Sequence, residues 1–288
     1  MKKIQEKTRI TILCENTAAG PQGLLGEHGF AALVERGDEK LLFDTGQSVS
    51  LAQNAKVLGV DLTEVKTVVL SHGHYDHTGG LEDVVFPPRG VEVIAHPDVF
   101  DEKYAVVETG GGEVRRYIGI KFRQKHLEAG GATRFRFVKG FEEVWPGVFF
   151  SGEVPRKTSF EAPDKRLKVR RGDELVQDPL RDDASLLVET SSGPVVICGC
   201  AHAGVVNVLN HLRQKSGHQT FHAVIGGTHL GYTAGTGPQL EQTMDAFDEF
   251  GLKLIGVSHC TGQRAASVCH ARFGPRFAFA SVGWSKLF

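Results

Sequence analysis

Three histidines and an aspartate stand within six positions of this chain, in the stretch "SHGHYDHTGG" at 71–80. The apolar run "TVVL" precedes them, so this loop leaves the end of a buried strand. Because side chains two positions apart point the same way, His72 and His74 can bind one ion, and Asp76 and His77 face a second position. Imidazole and carboxylate ligands suit Zn²⁺, Fe or Mn²⁺, and one or two such ions can activate a water molecule. The spacing therefore predicts an open, catalytic metal site.

Other histidines also follow strand-like runs. His202 comes after "VVICGC", His229 after "HAVIGG" and His259 after "KLIGVS". We expect these strand ends to meet at the edge where His72 lies. His229 is predicted to hydrogen-bond the substrate or to move a proton, since imidazole titrates near neutrality, and capping of a turn is the alternative.

The segments that carry these motifs predict a layered α/β protein. Three short β-rich runs, "RITILCEN", "FAALVERG" and "KLLFDTG", indicate an antiparallel meander. Strands then alternate with the helical patterns "SVSLAQNAKVLGV", "AGVVNVLNHLRQ" and "GPQLEQTMDAFDEFG". Strand, helix, strand is the order of sheets covered by helices.

The middle of the chain, about 100–180, is less regular in pattern. It contains the glycine-rich "ETGGGE" and "EAGGAT" and a charged stretch, and it is expected to be an irregular insertion or lid, with a solvated surface excursion as the alternative. Its basic residues would attract phosphate or another anion if they fold over the metals, and would otherwise form a solvated loop or an oligomer contact. These residues are Arg156, Lys157, Lys165, Arg166, Lys168, Arg170 and Arg171.

Composition limits the partners and the location. The 288 residues are 41% hydrophobic and carry a formal charge of -1, which gives no global reason to bind nucleic acid or an anionic membrane. No run approaches the roughly 18 apolar residues of a membrane span, and the N-terminal pattern does not resemble a signal peptide. Five cysteines without framework spacing suit a reducing compartment, so the expected location is cytoplasmic. The expected partners are a small anionic substrate and at most a second copy of the chain in a homodimer.

The motif His-x-His-x-Asp-His resembles the signature of the metallo-beta-lactamase superfamily. "LLFDTG" is similar to the aspartate-bearing strand end of that family, and "VSHCTG" to its last metal histidine. "VVICGCAHAGVVN", "VIGGTHL" and "HCTG" resemble its dihydropteroate-synthase-like branch, which is linked in archaea to methanopterin biosynthesis. The resemblance implies a four-layered αββα sandwich, one domain over residues 1–288, and metal ions at one edge of the two sheets.

The resemblance also assigns ligands by position. His72 and His74 are implied for the first ion, Asp76, His77 and His259 for the second, and Asp44 as a support of the histidine loop. Zn²⁺ is the expected cofactor, as one or two ions, with Fe or Mn as alternatives.

Two positions depart from the family pattern. Asp182 or Asp183, in "RDDASL", stands where the family has a histidine, and Cys200 or His202 stands where it has a bridging aspartate. We expect His202 to be the better ligand, because it follows a strand end as His72 does. A thiolate ligand at Cys200 is the alternative.

These residues predict metal-assisted hydrolysis of an anionic small-molecule ester that contains phosphate. The ions would lower the pKa of a bound water toward about 7, and Asp76, His229 and Asp183 are the expected catalytic residues. One alternative, implied by the branch, is a synthase that displaces diphosphate from a pterin. Another is a metal-loaded binding or sensing protein that has lost catalysis.

Overall fold

Two seven-stranded β-sheets face each other, and helices cover the outer face of each sheet. The computed structural model describes residues 6–20, 23–86, 90–233 and 237–288. The predicted four-layered αββα sandwich is confirmed by this arrangement.

The strands and helices of the described residues have the following bounds. The strands are β1 Thr8–Cys14, β2 Ala31–Arg36, β3 Glu39–Phe43, β4 Thr67–Val69, β5 Glu92–Ala95, β6 Lys103–Thr109, β7 Gly112–Tyr117, β8 Arg134–Phe137, β9 Glu142–Trp145, β10 Val148–Phe150, β11 Leu167–Arg171, β12 Glu174–Gln177, β13 Ser185–Val188, β14 Val195–Cys198, β15 Ala223–Gly227, β16 Leu254–Ser258, β17 Phe277–Phe279 and β18 Ser285–Leu287. The helices are α1 Ser50–Val57, α2 Tyr75–Thr78, α3 Leu81–Val85, α4 Gln124–Leu127, α5 Val205–Ser216, α6 Leu230–Thr233, α7 Pro238–Glu249 and α8 Gln263–Phe273.

Each large sheet is antiparallel on one side and parallel on the other. The first sheet has the order β18-β1-β2-β3-β4-β5-β8, and its strands run parallel from β3 to β8. The second has the order β17-β16-β15-β14-β13-β10-β9 and runs parallel from β14 to β17. The predicted meander of β1, β2 and β3 and the predicted hairpin of β13 and β14 are both present.

Alternation along the strands builds the core. Leu41 and Phe43 of β3 pack between the two sheets, while Leu42 faces the outer helices. On the second sheet, Ile197 packs inward and Val196 packs outward against helices α5 and α7. Each fully buried side chain of this size contributes roughly 1.5–3 kcal/mol relative to exposure, so the sandwich is a stable platform for its loops.

The segment 100–180 differs from the irregular insertion that the sequence indicates, because it contains seven strands. Three of them, β8, β9 and β10, join the large sheets, and the other four form a separate antiparallel sheet in the order β12-β11-β6-β7. The main chain of Tyr75, in the histidine loop, donates a hydrogen bond to the carbonyl of Ile118 at 2.9 Å. This small sheet is therefore attached directly beside the histidine loop.

In the described ranges, no helix combines the length and the apolar character needed to cross a bilayer.

Candidate metal centre

The predicted residues come together where the parallel strands of both sheets end. Asp44 follows β3 and His72 lies just beyond β4 in the first sheet, while Cys200, His229 and His259 follow β14, β15 and β16 in the second. Carboxyl ends of parallel strands in open sheets are common binding sites, because their loops project to the same edge. The two sheets thus bring their loops to one edge of the sandwich.

Three histidines form the tightest group at this edge. The Nε2 atom of His72 lies 2.9 Å from Nδ1 of His74 and 3.2 Å from Nε2 of His202. In a tetrahedral zinc site with Zn–N distances of about 2.0–2.1 Å, two ligand nitrogens lie roughly 3.3 Å apart. The spacing of the three nitrogens is therefore close to that of a zinc site.

The protonation of these histidines also suits a metal. Burial lowers the pKa of His72, His74 and His202, and charge repulsion among neighbouring imidazoles lowers it further. The rings are then neutral near pH 7, which is the form that binds metal ions. The nitrogens that face one another are Nε2 of His72, Nδ1 of His74 and Nε2 of His202, and the opposite nitrogens of His74 and His202 have no hydrogen-bond partner among the described residues. The group fits a divalent cation better than it fits a set of hydrogen-bonded core histidines.

A second group surrounds Asp76. Its Oδ2 lies 3.1 Å from Nε2 of His28, 3.4 Å from Nε2 of His259 and 3.8 Å from Nε2 of His77. Burial alone would raise the pKa of Asp76. The charge of His77 and the hydrogen bonds from His259 and His28 nevertheless hold this pKa well below its usual range. The carboxylate is therefore ionised and available to a cation. His28 was not singled out from the sequence, where it follows no strand-like run.

Cys200 lies between the two groups. Its Sγ is 3.2 Å from Nε2 of His77, and it belongs to three of the five sets of residues whose ligand atoms lie within 4.8 Å of one another in the described chain. Those three sets pair it with His72 and His77, with His202 and His229, and with His259 and Cys260. Burial raises the pKa of the Cys200 thiol in the metal-free chain, and a metal ion would reverse this shift by binding the thiolate. The geometry allows His202 and Cys200 to act together, whereas the sequence presented them as alternatives.

Asp44 supports the histidine loop, as the resemblance implies. Its carboxylate accepts hydrogen bonds from the main chain and the hydroxyl of Ser71, each at 2.7 Å, and lies 2.7 Å from Nδ1 of His77. Burial alone would lower the pKa of His77, but the charge of Asp44 raises this pKa to about 9. The Ser71 hydroxyl in turn lies 2.8 Å from Nδ1 of His72. With both Nδ1 atoms engaged, the Nε2 atoms of His72 and His77 point toward the centre.

A buried ion-pair cluster of Lys103, Asp178 and Asp182 also holds the histidine loop. The main chain of Gly73 donates to Oδ2 of Asp182 at 2.8 Å, and Oδ1 of Asp182 lies 2.9 Å from Nζ of Lys103 in β6. Lys103 also contacts Asp178 at 3.0 Å. A Cβ atom at Gly73 would overlap the carbonyl oxygen of Val99, so only glycine fits between His72 and His74.

Asp183 is placed differently from its predicted catalytic position. Its Oδ2 accepts the main-chain N–H of Ala203 at 2.8 Å, and it is absent from the lining of the cavity at the metal centre. Burial raises its pKa to about 6. The carboxylate holds the turn that carries His202, and this placement does not support the proton-transfer role expected for Asp183.

His229 does line the cavity. It sits in a left-handed turn with φ of 55°, its ring centroid is 4.3 Å from that of His202, and its Nε2 lies 3.6 Å from Oδ2 of Asp164. Burial alone would lower the pKa of His229, but the contact with Asp164 raises this pKa to about 9. Asp164 belongs to the 100–180 segment and was missed, because no local pattern marks a residue that acts across the fold.

The small sheet forms one wall of this cavity, whose volume is about 250 Å³. Ala105, Val107 and Leu167 supply apolar surface, and Arg116 and Arg166 supply positive charge. Of the seven basic residues noted in the sequence, Arg166 therefore reaches the cavity. Others do not, since Arg170 and Arg171 form outward ion pairs with Glu102 and Asp101.

A sequence profile described as "Metallo-beta-lactamase superfamily" matches residues 25–240. The chain belongs to the metallo-beta-lactamase superfamily. This confirms the family that the His-x-His-x-Asp-His motif indicates. Members of this superfamily typically bind divalent metal ions, and the described residues contain candidate groups of histidine, cysteine and aspartate for them.

Individual relatives within the superfamily cover nearly the whole chain. One relative is 7,8-dihydropterin-6-methyl-4-(beta-D-ribofuranosyl)-aminobenzene-5'-phosphate synthase of Methanocaldococcus jannaschii. The two sequences are 28% identical over an alignment of 289 positions that covers 96% of each protein. The chain is 31% identical over 258 residues to an uncharacterized protein of the same organism, covering 89% of this chain and 91% of the relative. The crystal structure of Tm1679, a metal-dependent hydrolase of the beta-lactamase superfamily, superposes with a TM-score of 0.80 at 30% identity, covering 97% of this chain and 98% of the other.

Proposed function

We propose that this protein is a metal-dependent hydrolase that acts on an anionic, phosphate-containing small-molecule ester. The observation that carries the proposal is the convergence of the His72, His74 and His202 nitrogens with Cys200 and Asp76 at the end of an open cavity. Catalytic metal sites differ from structural ones in leaving access for substrate, and this group opens into the cavity.

The residues that would hold the ions form two adjacent positions. His72, His74 and His202 would hold one ion, and Asp76, His77 and His259 the other, with Cys200 between them. Bound zinc or a similar divalent ion supplies a Lewis acid and an activated water. The sulfur ligand favours Zn²⁺ or Fe over Mn²⁺, because thiolate is a soft ligand.

The other residues of the cavity would orient the substrate and manage protons. His229, whose Nε2 faces Asp164, lines the cavity and would carry the proton that the leaving group needs. The small sheet would exclude water from one side of the substrate, as a lid does. Arg116 supplies positive charge to the cavity wall, which suits an anionic ester.

The test combines metal analysis with a hydrolysis assay. Protein purified without chelator should contain about one or two zinc ions per chain and should hydrolyse bis(4-nitrophenyl) phosphate. His74→Ala should lose bound metal and activity, whereas His270→Ala, at an exposed position on α8, should keep both. Metal bound by the wild type without turnover on phosphodiesters, phosphomonoesters and lactones would overturn the hydrolase and favour a metal-loaded binding protein.

A second candidate is a synthase, favoured by the 28% identity to the pterin-linked synthase over 96% of both chains. The two reactions differ in the acceptor, which is water in one and an aromatic amine in the other. A pterin diphosphate incubated with metal-loaded protein distinguishes them. If the pterin diphosphate is consumed only when an aminobenzene-ribose phosphate is added, and a joined product forms, the protein is the synthase. If the pterin diphosphate is consumed without the aminobenzene-ribose phosphate, the protein is the hydrolase.

A further inference from the structure

Arg116 is a cation of the cavity wall that has no ion-pair partner among the described residues. Its guanidinium donates to the hydroxyl of Tyr75 at 3.2 Å and lies 5.4 Å from the centre of that ring. Arg166, the other arginine of the wall, is engaged instead by both oxygens of Asp164, with Nε at 2.9 and 3.2 Å and Nη2 at 2.6 Å. The charge of Arg116 is therefore available to a ligand, whereas that of Arg166 is compensated.

The register of the small sheet places Arg116 next to apolar surface. Ala105 of β6 is paired with Arg116 of β7 on one side and with Leu167 of β11 on the other. Directly paired residues project from the same face of a sheet, so these three form one row on the wall of the cavity. Arg115 projects to the opposite face and pairs with Glu113.

The carboxylates of the cavity do not compete for Arg116. Asp76 is held by His28 and His259, and Asp164 by His229 and Arg166. A ligand that meets Arg116 therefore also meets the ring of Tyr75 and the apolar row. Guanidinium binds phosphate through two parallel hydrogen bonds, and a flat apolar group gains from burial against such a row.

We propose that Arg116 forms an anion subsite, which makes the substrate class esters that carry a phosphate group on a flat, aromatic or similar apolar moiety. This inference rests on the proposed function for the reaction, but the binding step can be measured separately. The reacting ester lies at the histidine cluster, the apolar moiety lies along Ala105 and Leu167, and the phosphate group lies against Arg116.

The test is calorimetric binding of three probes to zinc-loaded protein: phenylphosphonate, inorganic phosphate and benzamide. The wild type should bind phenylphosphonate more tightly than either of the others, because only that probe has both the anion and the ring. Arg116→Ala should weaken phenylphosphonate binding about tenfold. Arg116→Lys should recover part of the loss, and Arg115→Ala, one residue away on the opposite face, should match the wild type.

Two results would overturn the subsite. Unchanged phenylphosphonate affinity in Arg116→Ala would mean that the anion binds elsewhere. Equal weakening of all three probes would mean that Arg116 acts only by positioning Tyr75. The subsite and the hydrolase can fail independently: Arg116-dependent binding without turnover rejects only the reaction, and turnover with Arg116-independent binding rejects only the subsite.

Discussion

Lys103 is the buried cation that links the small sheet to the histidine loop, and its replacement by methionine is the most informative perturbation. The side chain is 1% exposed and contacts carboxylates of Asp178 and Asp182 at 3.0 and 2.9 Å. Burial alone would lower the pKa of Lys103, but these carboxylates raise it, so the Lys103 side chain stays protonated. Methionine fills a similar volume, and the main loss is therefore the positive charge.

The expected cost follows from the two carboxylates that remain. Removing one partner of a buried ion pair typically costs about 3–5 kcal/mol, because the other charge stays buried without compensation. The remaining hydrogen bonds, from the Gly73 main chain to Asp182 and from the Leu180 main chain to Asp178, offset part of this cost. We expect Lys103→Met to lower the free energy of unfolding by about 3 kcal/mol or more.

The loss should depend on pH in a definite direction. Burial raises the pKa of Asp182 and the positive charge of Lys103 opposes this shift, so the pKa of Asp182 should rise further in the variant. A carboxyl whose folded pKa exceeds its unfolded value destabilises the fold when ionised, and this penalty disappears as pH falls through the folded pKa. The deficit of the variant should therefore shrink on acidification.

Urea unfolding of the metal-free protein measures both effects. Lys168→Met is the matched control, because Lys168 in β11 contacts only Gln177 at the surface among the described hydrogen bonds, and it should change stability by less than about 0.5 kcal/mol. The reasoning is refuted if Lys103→Met costs no more than Lys168→Met, or if its deficit grows on acidification.

Three further predictions concern the metal centre. Cys200→Ser should weaken zinc binding at least about tenfold in a chelator competition and abolish the sulfur-to-metal absorption band of the cobalt-loaded protein, whereas Cys269→Ser should do neither. Asp183→Asn should gain urea stability relative to the wild type as pH rises from about 4 to about 6, because the folded pKa of Asp183 is raised to about 6, and a pH-independent difference would contradict this. Gly73→Ala should lose soluble, metal-binding protein, while Gly140→Ala, which has open space at its Cβ position, should behave as the wild type.

Much of the centre could be predicted because its residues follow strand ends. A buried strand is visible as an apolar run, and the side chain just beyond it must lie at the sheet edge. His72, His229 and His259 were found in this way, and the structure brings all three to one edge. The helices α5 and α7 were predicted for a similar reason, because their apolar stripes recur at helical spacing.

The residues that sequence reasoning missed act across long separations. Lys103 and Asp182 are 79 positions apart, and nothing near Lys103 in the chain distinguishes it from a surface lysine. Asp164 and Arg116 lie on or beside strands of the small sheet, whose pattern is irregular because two of its strands are largely exposed on both faces. Binary patterning needs one buried face, and β7 and β12 have almost none.

The two aspartates of "RDDASL" show why a departure from a family pattern need not remove a site. The sequence places them where the family has a ligand histidine, but both carboxylates accept main-chain hydrogen bonds instead. Asp182 holds Gly73, between His72 and His74 of the first sheet, and Asp183 holds Ala203, beside His202 of the second sheet. The two neighbouring carboxylates therefore hold one loop from each sheet. His202 offers an imidazole beside the hairpin, and the turn that carries it donates a main-chain hydrogen bond to Asp183, which stands where the family has a histidine.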